Sequence, residues 1–181
     1  MTKIMIIRHA EKPTPDGAFR GVTVGGNHDK HDLSVRGWQR AGALVRFFAP
    51  HGGTPASPIS TPSSIFASAA TPASPSLRAK HTVLPLAEVL GLAVHTHHAD
   101  GEEYGVALAA LASVSPVLIA WHHHSIPELV RHIAGDVAGS PPHWPDHRYD
   151  LVWVLDRDAN GAWSFSQTTQ RLFAHDPHEP A

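Results

Sequence analysis

Two short runs of consecutive apolar residues predict buried strands. One covers residues 4–7 and the other covers residues 117–121, and neither alternates with polar positions. Such a run is typical of a strand that is covered on both faces of a parallel sheet. Arg8 and His9 follow the first run directly, and His122 follows the second. We therefore expect two strands that each deliver a histidine at the carboxyl end.

The segments between these two strands show helical periodicity. A helix is predicted from Ser34, a candidate N-cap, because the apolar residues that follow recur at helical spacing. Its expected buried stripe consists of Val35, Trp38, Ala41, Val45 and Phe48. Residues 76–91 predict a second helix, in which Pro85 predicts a kink or a break. Residues 104–114 predict a third helix.

The last predicted helix follows the second apolar run. Ser125 and Glu128 have the spacing of a capping box, and the helix is expected to end at Gly135. Shorter strands are predicted at residues 64–67 and 92–96, and a hairpin at residues 149–168. This alternation predicts an α/β fold: a single three-layer domain with a mostly parallel sheet, helices on both faces and a C-terminal hairpin.

Two segments fall outside this pattern. Residues 14–31 have no sustained period and predict a long loop, and loops of this length in compact domains tend to be functional or disordered. The domain is expected to cover residues 1–173, and residues 174–181 are expected to be a frayed polar tail.

Composition narrows the possible functions. The chain is 42% hydrophobic and 17% charged, as globular domains are, and it has no cysteine for a disulfide or a thiolate metal site. A net charge of −2 does not give the chain an overall basic surface, so we expect no nucleic-acid partner. We find no signal peptide and no apolar run long enough to cross a membrane, so we expect no membrane partner and a cytoplasmic location.

The 16 histidines of the chain make a metal site an alternative. Candidate imidazole ligands are His95, His97 and His98, or the triplet at residues 122–124. However, neighbouring residues on a strand point to opposite faces, and no His-Glu-x-x-His motif is present. We therefore expect no resident metal and no other cofactor.

The two histidines that end strands belong to a set that suits phosphate chemistry. Parallel strands bring their carboxyl ends to one edge of the sheet, where α/β proteins bind ligands. His122 also precedes a helix whose N-terminus favours an anion. Arg8 and Arg78 are able to add bidentate contacts to phosphate oxygens. Phosphoryl transfer through a phosphohistidine needs one attacking imidazole and cations that hold the equatorial oxygens.

Four segments, in the right order, resemble motifs of the histidine phosphatase superfamily, which includes the phosphoglycerate mutases. Residues 8–11, Arg-His-Ala-Glu, are similar to its Arg-His-Gly-Glu opening, and residues 33–41 to its Leu-Thr-x-x-Gly-x-x-Gln-Ala helix. Ser68 with residues 78–82 resembles its Ser-Pro-Leu-x-Arg-Ala-x-Gln-Thr segment. Residues 121–127 resemble Gly-His-Ser-Asn-Thr-Ile-Pro. The matches extend from residue 3 to about residue 133.

The resemblance implies a phosphate pocket at the carboxyl edge of the sheet. His9 would be the nucleophile, and Arg8, Arg78 and His122 would bind the phosphoryl group. His9 must be neutral at its attacking nitrogen, so we expect its other ring nitrogen to form a hydrogen bond with the backbone. The charge of His122 stays open, because the helix dipole disfavours its cation and a phosphate favours it.

Further site residues follow from the position of the remaining polar residues. The family usually places an acid after the third strand, where Glu102 and Glu103 are equal candidates for the proton donor. Lys12, Arg20 and His123 are candidate substrate-binding residues.

The departures from the family pattern affect the pocket and the type of enzyme. Ala10 replaces a Gly, residues 69–76 are an insertion, and Trp121 replaces a Gly and is expected to place a bulky ring beside the pocket. Residues 13–15, Pro-Thr-Pro, stand where mutases of the family carry Trp and Asn, which favours a phosphatase.

The resemblance thus implies a metal-independent phosphatase that acts on a small phosphorylated substrate or a phosphoprotein. Two alternatives stay open: phosphoryl transfer of the mutase type, and a catalytically silent module that binds phosphate. The sequence does not determine the oligomeric state.

Overall fold

A six-stranded sheet organises the computed structural model, which describes residues 1–180. The strands are β1 (Thr2–Arg8), β2 (Ser64–Ala67), β3 (Val94–His95), β4 (Val117–Trp121), β5 (Leu151–Arg157) and β6 (Trp163–Thr169). Their order across the sheet is β3-β2-β4-β1-β5-β6. The first four strands in that order are parallel, and β5 runs antiparallel to both β1 and β6. The mostly parallel sheet and the C-terminal hairpin are confirmed.

Helices cover both faces of this sheet. They are α1 (Val35–Phe48), α2 (Arg78–Leu90), α3 (Glu103–Leu111) and α4 (Ile126–Ala134). Side chains alternate along β1, so that Met5 and Ile7 pack with α1 and α2, whereas Ile4 and Ile6 pack with α3 and α4. The predicted three-layer α/β domain is therefore confirmed. Across residues 1–180, none of the helices combines the length and the apolar character that a membrane crossing requires.

Helix α1 begins as predicted, and its buried stripe includes the predicted Ala41 and Phe48 but excludes Val35. The Ser34 hydroxyl accepts a hydrogen bond from the Gly37 N–H at 3.1 Å, which confirms the N-cap. The buried residues are Gly37, Arg40, Ala41, Leu44 and Phe48, whereas Val35 is 58% exposed. A Cβ at Gly37 would lie 2.5 Å from the Glu11 carbonyl oxygen, so the helix packs closely on the segment after β1. Arg40 lies one turn later on the same face of the helix and is therefore buried as well.

Helices α2 and α4 end where the sequence predicts, but α2 has no break at its proline and α4 has no side-chain cap. Helix α2 continues through Pro85 and ends at Gly91, which has a left-handed φ of 65°. The capping box predicted for α4 is wrong, because the Ser125 side chain forms no cap. Its hydroxyl instead donates to the Asp100 carboxylate at 2.9 Å. Helix α4 does end at Gly135.

The C-terminal segment is held by contacts that the sequence did not suggest. The Asp176 carboxylate is buried and accepts hydrogen bonds from the Leu172 and Phe173 N–H groups at 3.0 and 3.1 Å. It also accepts one from Arg40 on α1 at 2.8 Å. The chain is therefore held in place at Asp176, where the sequence predicts a frayed tail from residue 174 onward. Ala181, the last residue of that predicted tail, lies outside the described residues.

Candidate active site

The strand pairing brings the two strand-end histidines together. Strands β1 and β4 are parallel neighbours, with Arg8 opposite Trp121, and the His9 N–H donates to the Trp121 carbonyl oxygen at 3.0 Å. The ring centroids of His9 and His122 lie 5.7 Å apart with an angle of 70° between the ring planes. The two imidazoles therefore share one site at the carboxyl edge of the sheet.

The surroundings of His9 keep it neutral and orient it. The side chain is buried, and its Nδ1 lies 2.8 Å from the Ala10 carbonyl oxygen, to which it donates. This is the backbone hydrogen bond expected from the sequence, and it leaves Nε2 with a free lone pair. Burial, and then the nearby charges of Arg8 and Arg78, hold the pKa of His9 well below 6.5 although the bond to Ala10 acts in the opposite direction. At neutral pH the ring is an uncharged base or nucleophile.

Arg8 is a buried cation without an acidic partner. Its guanidinium donates to the backbone oxygens of Asp146 and Arg148 and to the Tyr149 hydroxyl, and it lies 4.0 Å from the centre of the Tyr149 ring. No carboxylate among residues 1–180 forms an ion pair with it, and its Nε is buried without a hydrogen-bond partner. Burial lowers the pKa of Arg8 below its ordinary value. Dipoles and a π-face contact this charge directly, whereas the carboxylates of Asp146 and Glu11 act on it only from a distance, without an ion pair.

Arg78 approaches the same pocket from the first turn of α2. Its only hydrogen-bond partner among residues 1–180 is the Lys30 carbonyl oxygen at 3.3 Å, and its Nε is buried without a partner. Burial lowers the pKa of Arg78 as well. Both arginines act electrostatically on His9. The pocket therefore contains two cations that are able to hold the oxygens of a phosphoryl group.

His122 completes this set on the other side. Its Nε2 lies 3.1 Å from the Ser68 hydroxyl, which follows the end of β2. Burial lowers the pKa of His122, although Asp100 acts in the opposite direction. The charge that the sequence left open is therefore shifted toward the neutral form.

The two glutamates proposed as proton donors both accept local hydrogen bonds. Glu102 is exposed, and its carboxylate accepts the Ala99 N–H at 2.6 Å. Glu103 is buried, and its Oε1 accepts hydrogen bonds from the Trp121 indole and the Gly101 N–H, both at 3.0 Å. Burial alone would raise the pKa of Glu103, but these hydrogen bonds hold it below its ordinary value. Glu103 is therefore ionised at neutral pH and holds the Trp121 indole, and the role of proton donor stays a prediction for both glutamates.

The Trp121 ring lies beside His122, with ring centroids 6.4 Å apart, but it is buried behind the pocket and does not line it. The residue is fully buried and belongs to the core between the sheet and helices α3 and α4. Alternation along β4 places it on the same face as Val117 and Ile119. Its replacement of a glycine thus fills the core and leaves the phosphate site open.

Asp100 is a site residue that the sequence reasoning missed. Its carboxylate accepts the Ser125 hydroxyl at 2.9 Å and lies 3.1 Å from His124 Nε2. It also acts electrostatically on His122. The signal was present, because Asp100 is the first residue of the acidic cluster that contains the two glutamates.

The three candidate substrate-binding residues have different positions. His123 lies at the rim, 3.3 Å from the Asp146 carboxylate, where burial and then the charge of Arg8 lower its pKa to about 4. Lys12 lines a cavity of about 410 Å³ that also includes Tyr149. Arg20 is exposed and has no side-chain partner among residues 1–180. The structure thus brings His123 and Lys12 close to the pocket, and it does not bring Arg20 into contact with it.

The histidine clusters do not form a metal centre in the part of the chain that the structure describes. Across residues 1–180, no group of three or more His, Asp or Glu side chains has a geometry that would hold a metal ion. His95 instead lies against Phe66, with ring centroids 5.0 Å apart. The Nε2 atom of His124 forms a hydrogen bond with the Asp100 carboxylate.

Comparisons with known proteins identify the fold. No family model matches the sequence, and no curated protein matches it. The solved structure of the protein histidine phosphatase SixA with tungstate matches with a TM-score of 0.58 and 17% identity, over 93% of this chain and 97% of that chain. A mycobacterial glucosyl-3-phosphoglycerate phosphatase matches with a TM-score of 0.52 and 13% identity, over 93% and 97%.

A third solved structure extends the comparison over nearly the whole chain. The alpha-ribazole phosphatase of Shigella flexneri matches with a TM-score of 0.51 and 14% identity, over 99% of this chain and 100% of that chain. The chain therefore has the fold of the histidine phosphatases, in agreement with the resemblance of its sequence motifs.

Proposed function

We propose that this protein is a phosphatase that hydrolyses a phosphomonoester, or a phosphohistidine on another protein, through a phosphohistidine at His9. The observation that carries the proposal is the environment of this imidazole. It is buried, neutral and influenced by Arg8 and Arg78, neither of which has a carboxylate partner among residues 1–180. Attack on a phosphate dianion needs such a neutral nucleophile beside uncompensated cations.

The first step transfers the phosphoryl group to the protein. The Nε2 lone pair of His9 attacks phosphorus, a nitrogen–phosphorus bond forms, and the bond from phosphorus to the leaving group breaks. The electron pair of that bond goes to the leaving atom, which takes a proton from an acid. Arg8, Arg78 and His122 stabilise the charge on the non-bridging oxygens.

The second step releases inorganic phosphate. A water molecule attacks phosphorus, the nitrogen–phosphorus bond breaks, and its electron pair returns to Nε2 of His9. The water loses its proton to the base that the acid became in the first step. His9 returns to the neutral form with which the cycle began.

The same proposal assigns the proton transfer to Asp100 and His124. These side chains lie 3.1 Å apart beside His122, and the ring centroids of His122 and His124 are 5.9 Å apart. Ser125 holds the other carboxylate oxygen of Asp100. The hydrogen bond between them contains a proton that the pair is able to pass to a leaving atom and take back from water.

The leaving group provides a test of this assignment. Asp100→Asn and His124→Gln are expected to lower kcat for an alkyl phosphate more than for an aryl phosphate, because a phenolate needs less protonation as it leaves. An equal loss for both substrates would contradict a role in proton transfer. Glu102→Gln serves as the matched control and is expected to leave both rates near those of the wild type.

The structural similarities support a phosphatase reaction but do not specify the substrate. The three proteins are described as phosphatases for a protein histidine, for alpha-ribazole phosphate and for glucosyl-3-phosphoglycerate. Their leaving groups differ in size and charge, so the fold by itself is compatible with many phosphorylated substrates.

The test of the function is hydrolysis of an aryl phosphate in excess chelator by the wild type and by His9→Ala. We expect turnover that resists the chelator and is lost in the variant, together with acid-labile phosphate trapped on His9 of the wild type. Turnover that the chelator abolishes would indicate a metallohydrolase. Phosphate binding without turnover of any phosphomonoester would indicate a silent binding module.

A further inference from the structure

A second cavity adjoins the phosphate pocket on the side of His122. Its volume is about 210 Å³, and its polar lining residues are Ser68, Ser76, Lys80 and Thr96. Ser68 belongs to both spaces, because its hydroxyl also lies 3.1 Å from Nε2 of His122. A group bound in this cavity would therefore sit next to a phosphoryl group at His9.

Two of the lining residues have unused polar groups. Ser76 is only 7% exposed, and its hydroxyl is buried without a hydrogen-bond partner. A buried hydroxyl without a partner is uncommon and costs free energy, so it calls for an explanation. Lys80 forms no ion pair and no side-chain hydrogen bond with any residue from 1 to 180. The cavity thus combines a cation with a free hydroxyl donor.

Position in the chain explains why these residues meet. The insertion at residues 69–76 leads from the end of β2 to α2, and it ends at Ser76. Lys80 lies four residues later, in the first turns of α2, while Arg78 between them belongs to the phosphate pocket. One short stretch of chain therefore supplies a cation to each of the two neighbouring spaces.

We propose that this cavity binds a second anionic group, a carboxylate or a phosphate, on the leaving part of the substrate. The substrate class is then a small phosphomonoester with two anionic ends. Lys80 pairs with the second anion, and Ser76 and Ser68 donate hydrogen bonds to it. A hydrogen bond to a charged group contributes at least about tenfold in affinity. The proposal rests on the proposed function, because the phosphoryl group must bind at His9.

Binding of phosphonates tests this proposal without any need for turnover. Calorimetry would compare alkylphosphonates of two to five carbons with the same compounds carrying a terminal carboxylate. In the wild type, at least one carboxylated compound is expected to bind about tenfold or more tightly than its alkyl partner. Lys80→Met is expected to remove this preference and leave the affinity for the alkylphosphonates unchanged, and Ser76→Ala to reduce it in part.

The control separates a specific site from general attraction. Arg46→Met removes an exposed cation from the last turn of α1, outside both spaces, and is expected to keep the preference. Equal affinity of the wild type for every pair, or a preference that survives in Lys80→Met, would overturn the proposal. Absence of phosphatase activity together with a Lys80-dependent preference would instead count against the proposed function alone.

Discussion

Arg40 on α1 and Arg8 at the end of β1 are equally buried, each 2% exposed, but their partners are opposite in kind. Arg40 donates to the carboxylates of Glu11 and Asp176, both at 2.8 Å, and to the Gln170 amide oxygen at 2.9 Å. Arg8 donates to two backbone oxygens and a tyrosine hydroxyl, and no carboxylate among residues 1–180 pairs with it. The same side chain at the same depth thus meets two different electrostatic environments.

The pKa values follow this difference. Burial alone would lower the pKa of Arg40, but the hydrogen bonds from its guanidinium to Asp176 and Glu11 raise it above the ordinary value. Burial lowers the pKa of both Arg8 and Arg78. The protein therefore pairs the charge of Arg40 with carboxylates at hydrogen-bond distance, whereas carboxylates act on Arg8 and Arg78 without forming ion pairs. Arg40 thus stabilises the fold, whereas Arg8 and Arg78 are the residues that we propose bind an anion.

The largest effect on stability is expected at Arg40. Arg40→Met leaves Asp176 without a cation and Glu11 with only its more exposed contact to Arg36, and breaking a buried pair from one side costs about 3–5 kcal/mol. Denaturant unfolding measures the loss. Arg36→Met, which removes a more exposed contact of the same Glu11 carboxylate, is expected to cost less than about 1 kcal/mol. Equal stability of Arg40→Met and the wild type would contradict a structural role for this cluster.

The opposite pattern is expected at Arg78. Arg78→Met removes a contact to the phosphoryl group, so kcat/KM is expected to fall by about 10²–10³, as on loss of one transition-state donor. The free energy of unfolding is expected to stay the same or rise, because an unpaired and partly buried cation is removed. Steady-state kinetics and denaturant unfolding on the same samples check both statements. If Arg78→Met lost activity only because it unfolds, Arg78 would have a structural role like that of Arg40.

Stabilisation by inorganic phosphate is expected to distinguish Arg78 from Arg40 in a further way. A ligand that binds only the folded state stabilises it by about 2.7 kcal/mol at a concentration of one hundred times Kd. The wild type is expected to gain stability in phosphate, and Arg78→Met to lose most of that gain. Arg40→Met is expected to keep the gain, although it starts from a lower stability. Thermal unfolding at several phosphate concentrations measures all three, and a gain that survives in Arg78→Met would contradict the assignment.

The smallest effect concerns the pH dependence of stability that arises from three histidines close to these arginines. The pKa values of His9, His122 and His123 are lowered in the folded protein, the last to about 4. Below an unfolded value of about 6.5, the unfolded chain therefore binds more protons, and stability falls as the pH falls. The slope is about 1.4 kcal/mol per pH unit for each extra proton.

One substitution isolates the contribution of His123 to this slope. His123→Gln is expected to flatten it between about pH 6.5 and pH 4, because that is the window in which only the unfolded state takes up this proton. Denaturant unfolding across the pH range measures the change, with His51→Gln, an exposed loop position, as the control. An unchanged slope in His123→Gln would show that this side chain stays protonated in the folded state.

The sequence by itself determined the features that depend on residues close together in the chain. Apolar runs placed β1 and β4, Ser34 marked the start of α1, and Gly135 the end of α4. A histidine directly after each of two parallel strands was enough to predict that the imidazoles of His9 and His122 meet. Strand alternation and helical period are local rules, so local information was sufficient.

Only the tertiary structure decided which polar groups become partners. Helical periodicity favoured Val35 for the buried stripe, but Arg40 is buried because it pairs with Glu11, 29 residues away, and with Asp176, 136 residues away. Glu103 is similarly engaged by Trp121 across 18 residues, a contact that its position in the sequence does not predict. Burying a charge is favourable only where its partners converge on it, and that convergence is set by the packing of distant segments.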